Sequence, residues 1–293
     1  MLIDRMDRIQ VAVKDRRQAA QAYAGLLGAE VLEERPSRLL GAQRTILALG
    51  ESCVELCEPD GAGLVADVLA QRGEGLMTAG FSAPEPEALR RRLSGLGMEP
   101  QLEDEQVYLD PALNFGIRFV FSPARPRRRV GPVSFLYEVT NTLVSDWRLA
   151  AAHFAGLFAL DPSRFAQIGS GRFGYVGALT LINPPGRLDR IELSQVVRED
   201  SAMGRWVKKH GDSLYMCYCE THDLDGIIAR LDAAGARWTP RGPSQEGEAD
   251  GLWVHPKHLH GVLLGVSRTT LAWDWSGRPE LVDPPPQTPH AHE

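Results

Sequence analysis

The sequence predicts an α+β protein of two tandem domains, each made of two β-α-β-β-β units. Three observations carry this. First, Ala66–Thr78 (A-D-V-L-A-Q-R-G-E-G-L-M-T) and Gly204–Met216 (G-R-W-V-K-K-H-G-D-S-L-Y-M) repeat one another at an offset of 138 residues, Thr78 against Met216. Each runs from an amphipathic helical turn through a basic residue and Gly into an apolar strand, and a helix follows. A repeat of that length marks duplicated domains, because solenoid units are shorter. Second, the order of strand and helix signals restarts in the second half. Third, Ala124–Pro132 (A-R-P-R-R-R-V-G-P) is basic, Pro-bounded and without hydrophobic period, so it reads as a solvated linker. Residues 1–123 then form the first domain, 124–132 the linker, 133–274 the second domain and 275–293 a Pro-rich tail. A chain of 293 residues has room for two cores.

Ile9–Val13 is β-rich. Asp15 caps a helix over Arg16–Leu27, which Gly28 ends. Strands at Glu30–Glu34, Arg44–Leu49 and Ser52–Cys57 follow, with turns at Gly41 and Gly50-Glu51. Leu76–Ser82, the helix Pro86–Leu96, Val107–Leu109 and Ile117–Phe121 give the second unit, its middle strands less sharply marked. Phe135–Val144 opens the second domain, and Asp146 caps a helix over Trp147–Phe158. Phe165–Gly169, Tyr175–Leu181 and Arg190–Val196 are strands, and Gly204–Lys209 is a short helix. Ser213–Cys219, the helix Leu224–Ala234, Leu252–His255 and Val262–Val266 complete the fourth unit.

The net charge of −6 gives a nucleic-acid partner no global electrostatic support. No apolar run approaches the ~20 residues of a membrane span. Met1–Asp7 lacks the apolar core of a secretory signal, so a cytoplasmic location is expected. Cys53/Cys57 and Cys217/Cys219 sit in strand-like runs, roughly 7 to 13 Å apart along the backbone, too far for a disulfide or a zinc half-site. The sequence holds no Walker A loop and no G-x-S-x-G elbow. Gly169-Ser-Gly171 and Gly174 read as turn glycines between strands.

Three stretches resemble the methylmalonyl-CoA epimerases of the vicinal oxygen chelate superfamily, which also holds glyoxalases and extradiol dioxygenases. Asp7-Arg-Ile-Gln-Val-Ala-Val-Lys-Asp15 resembles the opening D-H-I-x-I-A-V-x-D. Arg72-Gly-Glu-Gly-Leu76 resembles the R-G-E-G-L that leads into the second unit. Leu252-Trp-Val-His-Pro-Lys-His-Leu-His-Gly-Val262 resembles the closing V-H-P-K-x-x-H-G-V. The resemblance implies a cup-shaped sheet in each domain. It also implies a divalent metal held in the cup from the first and last strands of each unit. Those positions fall near Arg8, Glu55, Thr78 and Val120 in the first domain, and near Val139, Glu192, Met216 and Gly265 in the second. Each set contains one carboxylate, so no metal and no cofactor are expected.

Strand alternation extends these positions to the cup linings. The first cup gains Gln10, Cys53, Cys57 and Arg118, a set that reads as a closed ionic core or an acidic-ligand site. The second gains Tyr137, Asn141, Arg190, Ser194, Tyr218 and Leu263. There Glu192, Tyr137 and Asn141 are the candidate catalytic residues, and Arg190, Met216 and Tyr218 the candidate substrate contacts. Arg190 is expected to pair with Glu192, opposing the effect of burial. His258 and His260 share a strand face before Gly261 and could shape the cup rim, touch substrate or bind metal. The composition of the second cup suggests a metal-independent lyase or isomerase acting by acid/base chemistry on a small oxygenated organic substrate, aromatic-derived or acyl. A small-molecule sequestering protein and a metal-dependent epimerase or dioxygenase remain open. A small-molecule partner, with a homodimer as one arrangement, completes the expectation.

Overall fold

The computed structural model describes residues 1–184, 187–243, 249–268 and 276–281. Among the described residues sixteen strands form two sheets. The first holds β1 (Met6–Ala12), β2 (Glu30–Ser37), β3 (Ala42–Leu49), β4 (Ser52–Pro59), β5 (Gly75–Ala83), β6 (Gln101–Glu103), β7 (Gln106–Leu109) and β8 (Phe119–Pro123). The second holds β9 (Val133–Leu143), β10 (Ala166–Ser170), β11 (Tyr175–Leu181), β12 (Arg190–Val196), β13 (Ser213–Thr221), β14 (Trp238–Pro243), β15 (Ala249–Val254) and β16 (Leu264–Arg268). The strand orders, β2-β3-β4-β1-β5-β8-β7-β6 and β10-β11-β12-β9-β13-β16-β15-β14, are the same path taken twice. In each, the opening strand runs parallel to the last strand of its own unit and antiparallel to the first strand of the next. Each sheet curls into a cup, and the two cups follow one another along the chain.

Local chemistry fixes the helices. Asp15 accepts from Arg17 N and Gln18 N to start α1 (Arg16–Leu27), and Gly28 ends it at φ 70°. Asp146 caps α4 (Trp147–Phe158) in the same way. Helices α2 (Leu64–Arg72) and α5 (Ala202–His210) cross the cup side of their sheets, whereas α3 (Pro86–Gly95) and α6 (Leu224–Ala233) lie on the convex side. Helix α1 packs on α6 and α3 on α4, joining the domains. Phe119 and Phe121 of the first domain meet Phe154 and Phe158 of the second, with centroids 5.4–5.6 Å apart. All four rings are buried, each worth roughly 1.5–3 kcal/mol of transfer free energy.

The repeat has a structural reason at the seam. Asp212 accepts from Val144 N at 2.7 Å and Ser145 N at 3.1 Å, and its counterpart Glu74 accepts from Lys14 N at 2.8 Å. Each acid thus caps the end of its domain's opening strand. Their carbonyls press on glycines of the opposite domain. A Cβ on Gly116 (φ 76°) would stand 1.8 Å from Asp212 O, and one on Gly261 (φ 84°) 1.9 Å from Glu74 O.

The outermost strands β6 and β14 lack a readable pattern and went unanticipated. Edge strands can also hold prolines: Pro36 sits in β2 and Pro240 in β14. The closing strands start at Phe119 and Leu264, two residues later than expected, after 3-10 turns at Pro111–Leu113 and Pro256–His258. The basic run reaches acids of the first domain: Arg125 meets Glu105, Arg127 meets Asp7, Arg128 meets Glu30 and Arg129 meets Glu51. Residues 269–274 and all but 276–281 of the tail lie outside the described residues. No described helix is long and apolar enough to cross a membrane.

Candidate active site

The first cup is mostly filled by side chains, leaving a cleft of about 310 Å³ beside Arg8, Cys53, Gln106, Ser122 and Arg127. Glu55, fully buried, accepts from Arg8, from Gln10 at 2.8 Å, from Gln106 at 3.2 Å and from Arg44 at 3.3 Å. Burial pushes this carboxyl up, but Arg8 and Arg44 prevail and hold it below 4.5. Asp7 continues the network to Arg8 and Arg127. Cys57, Met77, Tyr108 and Val120 pack against α2 across the rest of the space. Arg118 is left at the mouth, 3.7 Å from Asp110.

The second cup is open. A cavity of about 430 Å³ lies between the sheet and α5. Its polar patch is a carboxyl pair, Glu138 on β9 and Glu192 on β12. The Arg190 guanidinium donates to Glu138 at 2.5 Å. Glu192 accepts from Thr140 Oγ1 at 3.1 Å and Ser194 Oγ at 2.5 Å, and is hydrogen-bonded to Glu138. Burial pushes Glu192 up to about 8. The charge of Glu138 and the bond between the two carboxyls add to the rise, while the Ser194 and Thr140 hydroxyls oppose it. At neutral pH Glu192 therefore keeps its proton. Around it stand Met203, Met216, Leu263, Tyr175, Tyr215, Tyr218 and Trp253.

Of the expected site residues, Glu192, Arg190, Met216 and Tyr218 line this cavity together. Tyr137 lies just behind it: its ring is 6.1 Å from that of Tyr218, Arg190 sits 4.8 Å over it, and its hydroxyl bonds Ser267 at 2.7 Å. Asn141 lies on the opposite face of β9, its amide donating to Phe115 O at 2.9 Å. Val139 shares that face and joins the core. Two residues of the pair's environment differ from the sequence reading. Arg190 bonds Glu138 rather than Glu192, and Glu138 had not been singled out.

The cause is a β-bulge. On β13, Tyr218 pairs with Glu138 and Cys219 with Leu136, so Tyr137 is an extra residue and shares the cup face with Glu138. The first domain has the same bulge at Asp7. Arg8 pairs with Cys53 and Gly80, while Glu138 pairs with Arg190 and Tyr218. Glu138 is thus the counterpart of Arg8, and the position assigned to Val139 belongs to it. The alternation Glu138, Thr140, Thr142 was the sequence signal for this face.

The histidines lie elsewhere. His258 ends a 3-10 turn rather than lying on a strand, and His260 follows in the left-handed region at φ 48°. His260 Nδ1 is 3.1 Å from Glu74 of the first domain, and neither histidine lines the cavity.

At the four positions from which this fold is expected to hold a metal, the first cup presents Arg8, Glu55, Thr78 and Val120. The second presents Glu138, Glu192, Met216 and Gly265. Gly265 leaves space that the Tyr218 ring occupies: a Cβ there would stand 2.1 Å from that ring. Among the described residues no three His, Cys, Asp or Glu side chains cluster as metal ligands.

No family model matches the chain, and no curated protein matches it either. Solved structures do. A triple mutant of 4-hydroxymandelate synthase from Streptomyces coelicolor superposes with TM-score 0.70 at 14% identity, covering 92% of this chain and 93% of that one. A xylose isomerase-like TIM barrel/4-hydroxyphenylpyruvate dioxygenase fusion protein gives TM-score 0.60 at 11% identity, over 91% of this chain and 48% of that one. Methylmalonyl-CoA epimerase from Mycobacterium tuberculosis shares 23% identity over 47% of this chain and 89% of its own, with TM-score 0.39. At these identities the first two likenesses are of fold, the tandem vicinal oxygen chelate arrangement, and the third adds nothing to that assignment.

Proposed function

We propose that the second cup is the active site of an enzyme that moves protons with the Glu138–Glu192 pair, without a chelated metal. Its substrate is a small oxygenated organic molecule, and the outcome is isomerisation or elimination. The observation that carries this is a hydrogen-bonded pair of carboxyls lining the cavity, Glu138 fixed by Arg190 and Glu192 pushed up by burial. Environments that separate two neighbouring carboxyls mark an acid and a base. Glu192 O–H gives its proton to a substrate carbonyl oxygen while Glu138 takes one from the carbon beside that carbonyl, which forms an enol. The enol O–H then returns its proton to Glu192: in isomerisation the Glu138 carboxyl delivers its proton to the other face of the carbon, and in elimination it delivers that proton to the group that leaves the next carbon. A positioned acid or base contributes about 10²–10⁴ in rate.

The donors do not fit a chelated divalent metal. Such a site wants about three His, Asp or Glu ligands. Here Gly265 offers none and Met216 only a thioether. A cation would also have to displace Arg190 from Glu138 and the proton from Glu192. A second reading, sequestration of a small molecule, draws on the aromatic wall of Tyr175, Tyr215, Tyr218 and Trp253.

The test is deuterium wash-in, followed by proton NMR in D2O, at carbons beside a carbonyl in a panel of 2-oxo acids, 2-hydroxy acids and acyl thioesters. Exchange by EDTA-treated protein, lost in Glu192→Gln, supports the reading. Exchange that needs added iron, manganese or zinc, or that survives Glu192→Gln, overturns it. Saturable binding without exchange supports sequestration.

A further inference from the structure

A second space lies between the two domains. It is a cleft of about 280 Å³, bounded by α2 and Arg118 of the first domain and by Trp206, Leu214 and Tyr215 of the second. The duplication explains its place. Leu76 and Leu214, Met77 and Tyr215, and Gly116 and Gly261 are equivalent positions of the two domains, and all six line the cleft, so it sits where the copies face each other. Tyr215 also lines the second cup, and the two spaces share that ring. The copies differ at two positions here. Arg118 stands where the second domain has Leu263, each one residue before its closing strand. Trp206 stands where the first domain has Val68. The indole is fixed in place: Trp206 Nε1 donates to Ser213 Oγ at 3.0 Å, and the ring meets Tyr215 edge-on at 5.5 Å.

Arg118 is unlike the other buried arginines of the chain. Its side chain is 16% exposed, and its ion-pair partner among the described residues is Asp110, 3.7 Å away and itself 66% exposed. That distance is too long for a hydrogen bond, and the other Asp110 oxygen accepts from Ala112 N. Among the described residues no group accepts a hydrogen bond from the Arg118 guanidinium. Arg8, Arg44, Arg127, Arg187 and Arg190 are comparably buried, and each donates to a carboxylate. Neighbouring carboxylates hold Arg8, Arg44, Arg127 and Arg190 above the ordinary arginine value despite burial. Arg118 is held below it: burial pulls it down, Asp110 opposes the fall, and the charge of Arg72 adds to it. Counted over the lining the charges balance, two arginines against Asp67 and Glu74. Arg72 and Asp67 are exposed, in the last and first turns of α2, and Glu74 already accepts from Lys14 N and His260. An unmet fork of donors, rather than net charge, therefore sets this cleft apart.

We propose that the cleft between the domains is a second binding site, for a small organic oxyanion with a flat apolar body. Its carboxylate or phosphate oxygens accept from Arg118, with Arg72 at the rim as a further guanidinium. The body lies against Trp206, Val68 and Leu214. Guanidinium forks match the oxygens of carboxylates and phosphates. A cleft walled by apolar side chains with a few convergent polar groups is the usual form of a small-molecule site. Packing does not demand an arginine at this position, since the second domain builds the same turn and strand with Leu263. A guanidinium held that deep without an acceptor is costly unless a ligand or water meets it. This site is separate from the carboxyl pair and stands or falls apart from the reading of the second cup.

The probes are phenylacetate, phenyl phosphate and the uncharged phenylacetamide, titrated calorimetrically. At least one anion is expected to bind about ten-fold or more tightly than the amide, and the tighter anion identifies the headgroup. Arg118→Leu copies the second domain and should weaken that anion about ten-fold, whereas Arg118→Lys should keep part of the preference. Trp206→Val copies the first domain and should weaken amide and anions alike. By NMR, the Arg118 Nε–H signal, identified by its loss in Arg118→Leu, should shift as the anion is added. Equal affinity for amide and anions, no saturable anion binding at millimolar concentration, or an Arg118 signal that does not move overturns the proposal. So does anion binding that survives Arg118→Leu. Anion binding that falls in Glu192→Gln but not in Arg118→Leu would place the probe in the second cup and overturn this site while leaving the acid/base reading intact.

Discussion

Replacing Glu192 with Gln should make the protein more stable, by an amount that depends on pH. Folding raises this carboxyl from 4.5 to about 8, and each pH unit of such a rise corresponds to about 1.4 kcal/mol. The sign follows from proton counting. Between pH 4.5 and 8 the folded state keeps a proton that the unfolded state has lost, so stability falls as pH rises through that window and levels off above it. The cost is near zero at pH 4.5, roughly 3 kcal/mol at pH 7 and on the order of 5 kcal/mol above pH 8. Gln carries no such cost. Its N–H can face Glu138 where the acid proton stood, and the Thr140 and Ser194 hydroxyls can turn to meet it. With an unfolding entropy of about 2.1 cal/mol/K per residue, a gain of 3 kcal/mol is roughly 5 °C in melting temperature if the chain melts as one unit. The assay is a series of thermal melts of wild type and variant from pH 4.5 to 9. Glu220, also pushed up to about 8 by burial, gives both proteins a common slope that drops out of the difference. A gap that does not change with pH, or a variant less stable at pH 8, would refute the reasoning by showing Glu192 ionised in the fold.

In the first cup, Glu55→Gln should destabilise by about 3–5 kcal/mol, because it leaves Arg8 and Arg44 buried against a neutral group; urea unfolding measures this. Glu55 is held below 4.5, so its contribution is present above that pH and lost as the pH falls through its folded value. Wild-type stability should therefore drop as the pH falls through that value, a drop that the variant lacks. Gly116→Ala should cost well over 1 kcal/mol, since a Cβ would strike Asp212 O at 1.8 Å in a positive-φ conformation; loss of cooperative melting reports it. Asn141→Ala should cost about 1 kcal/mol through the lost bond to Phe115 O and leave deuterium exchange at the second cup unchanged, as proton NMR can check.

The fold was legible because its signals are local. Caps at Asp15 and Asp146, the stop at Gly28 and alternating strands are each written within a few residues. The duplication was legible because Glu74 and Asp212 repeat one capping task. The site was only half legible. Glu192, Arg190, Met216 and Tyr218 followed from strand parity, but parity on β9 turns on one extra residue at Tyr137. A bulge arises from how β9 twists against β13, which no local pattern encodes, and one residue of slip moves every side chain to the other face. That slip brought Asn141 and Val139 into the cup and left Glu138 out. His258 and His260 were misplaced for a related reason: Pro256 starts a 3-10 turn where a strand had been read.

The two cups show how one backbone can close one site and open another. Cross-strand pairing makes Gly177 the counterpart of Arg44 and Thr140 that of Gln10. Gly251 takes the place of Gln106, two residues before the matched pair Trp253 and Tyr108. A Cβ on Gly177 would lie 1.7 Å from Leu193 O, and one on Gly251 2.1 Å from Val266 O, so neither position can carry a side chain without moving the strands. The long groups that fill the first cup are therefore missing from the second by construction. The sign of one residue then sets the chemistry. Glu55 and Glu192 occupy equivalent places, and burial pushes both up. Glu55 faces Arg8 and is held below 4.5; Glu192 faces Glu138, the counterpart of Arg8, and is pushed to about 8. Arg190, whose counterpart is Cys53, then donates to Glu138 beside Glu192. A swap of Arg for Glu beside the bulge thus separates an ionic core from a carboxyl pair.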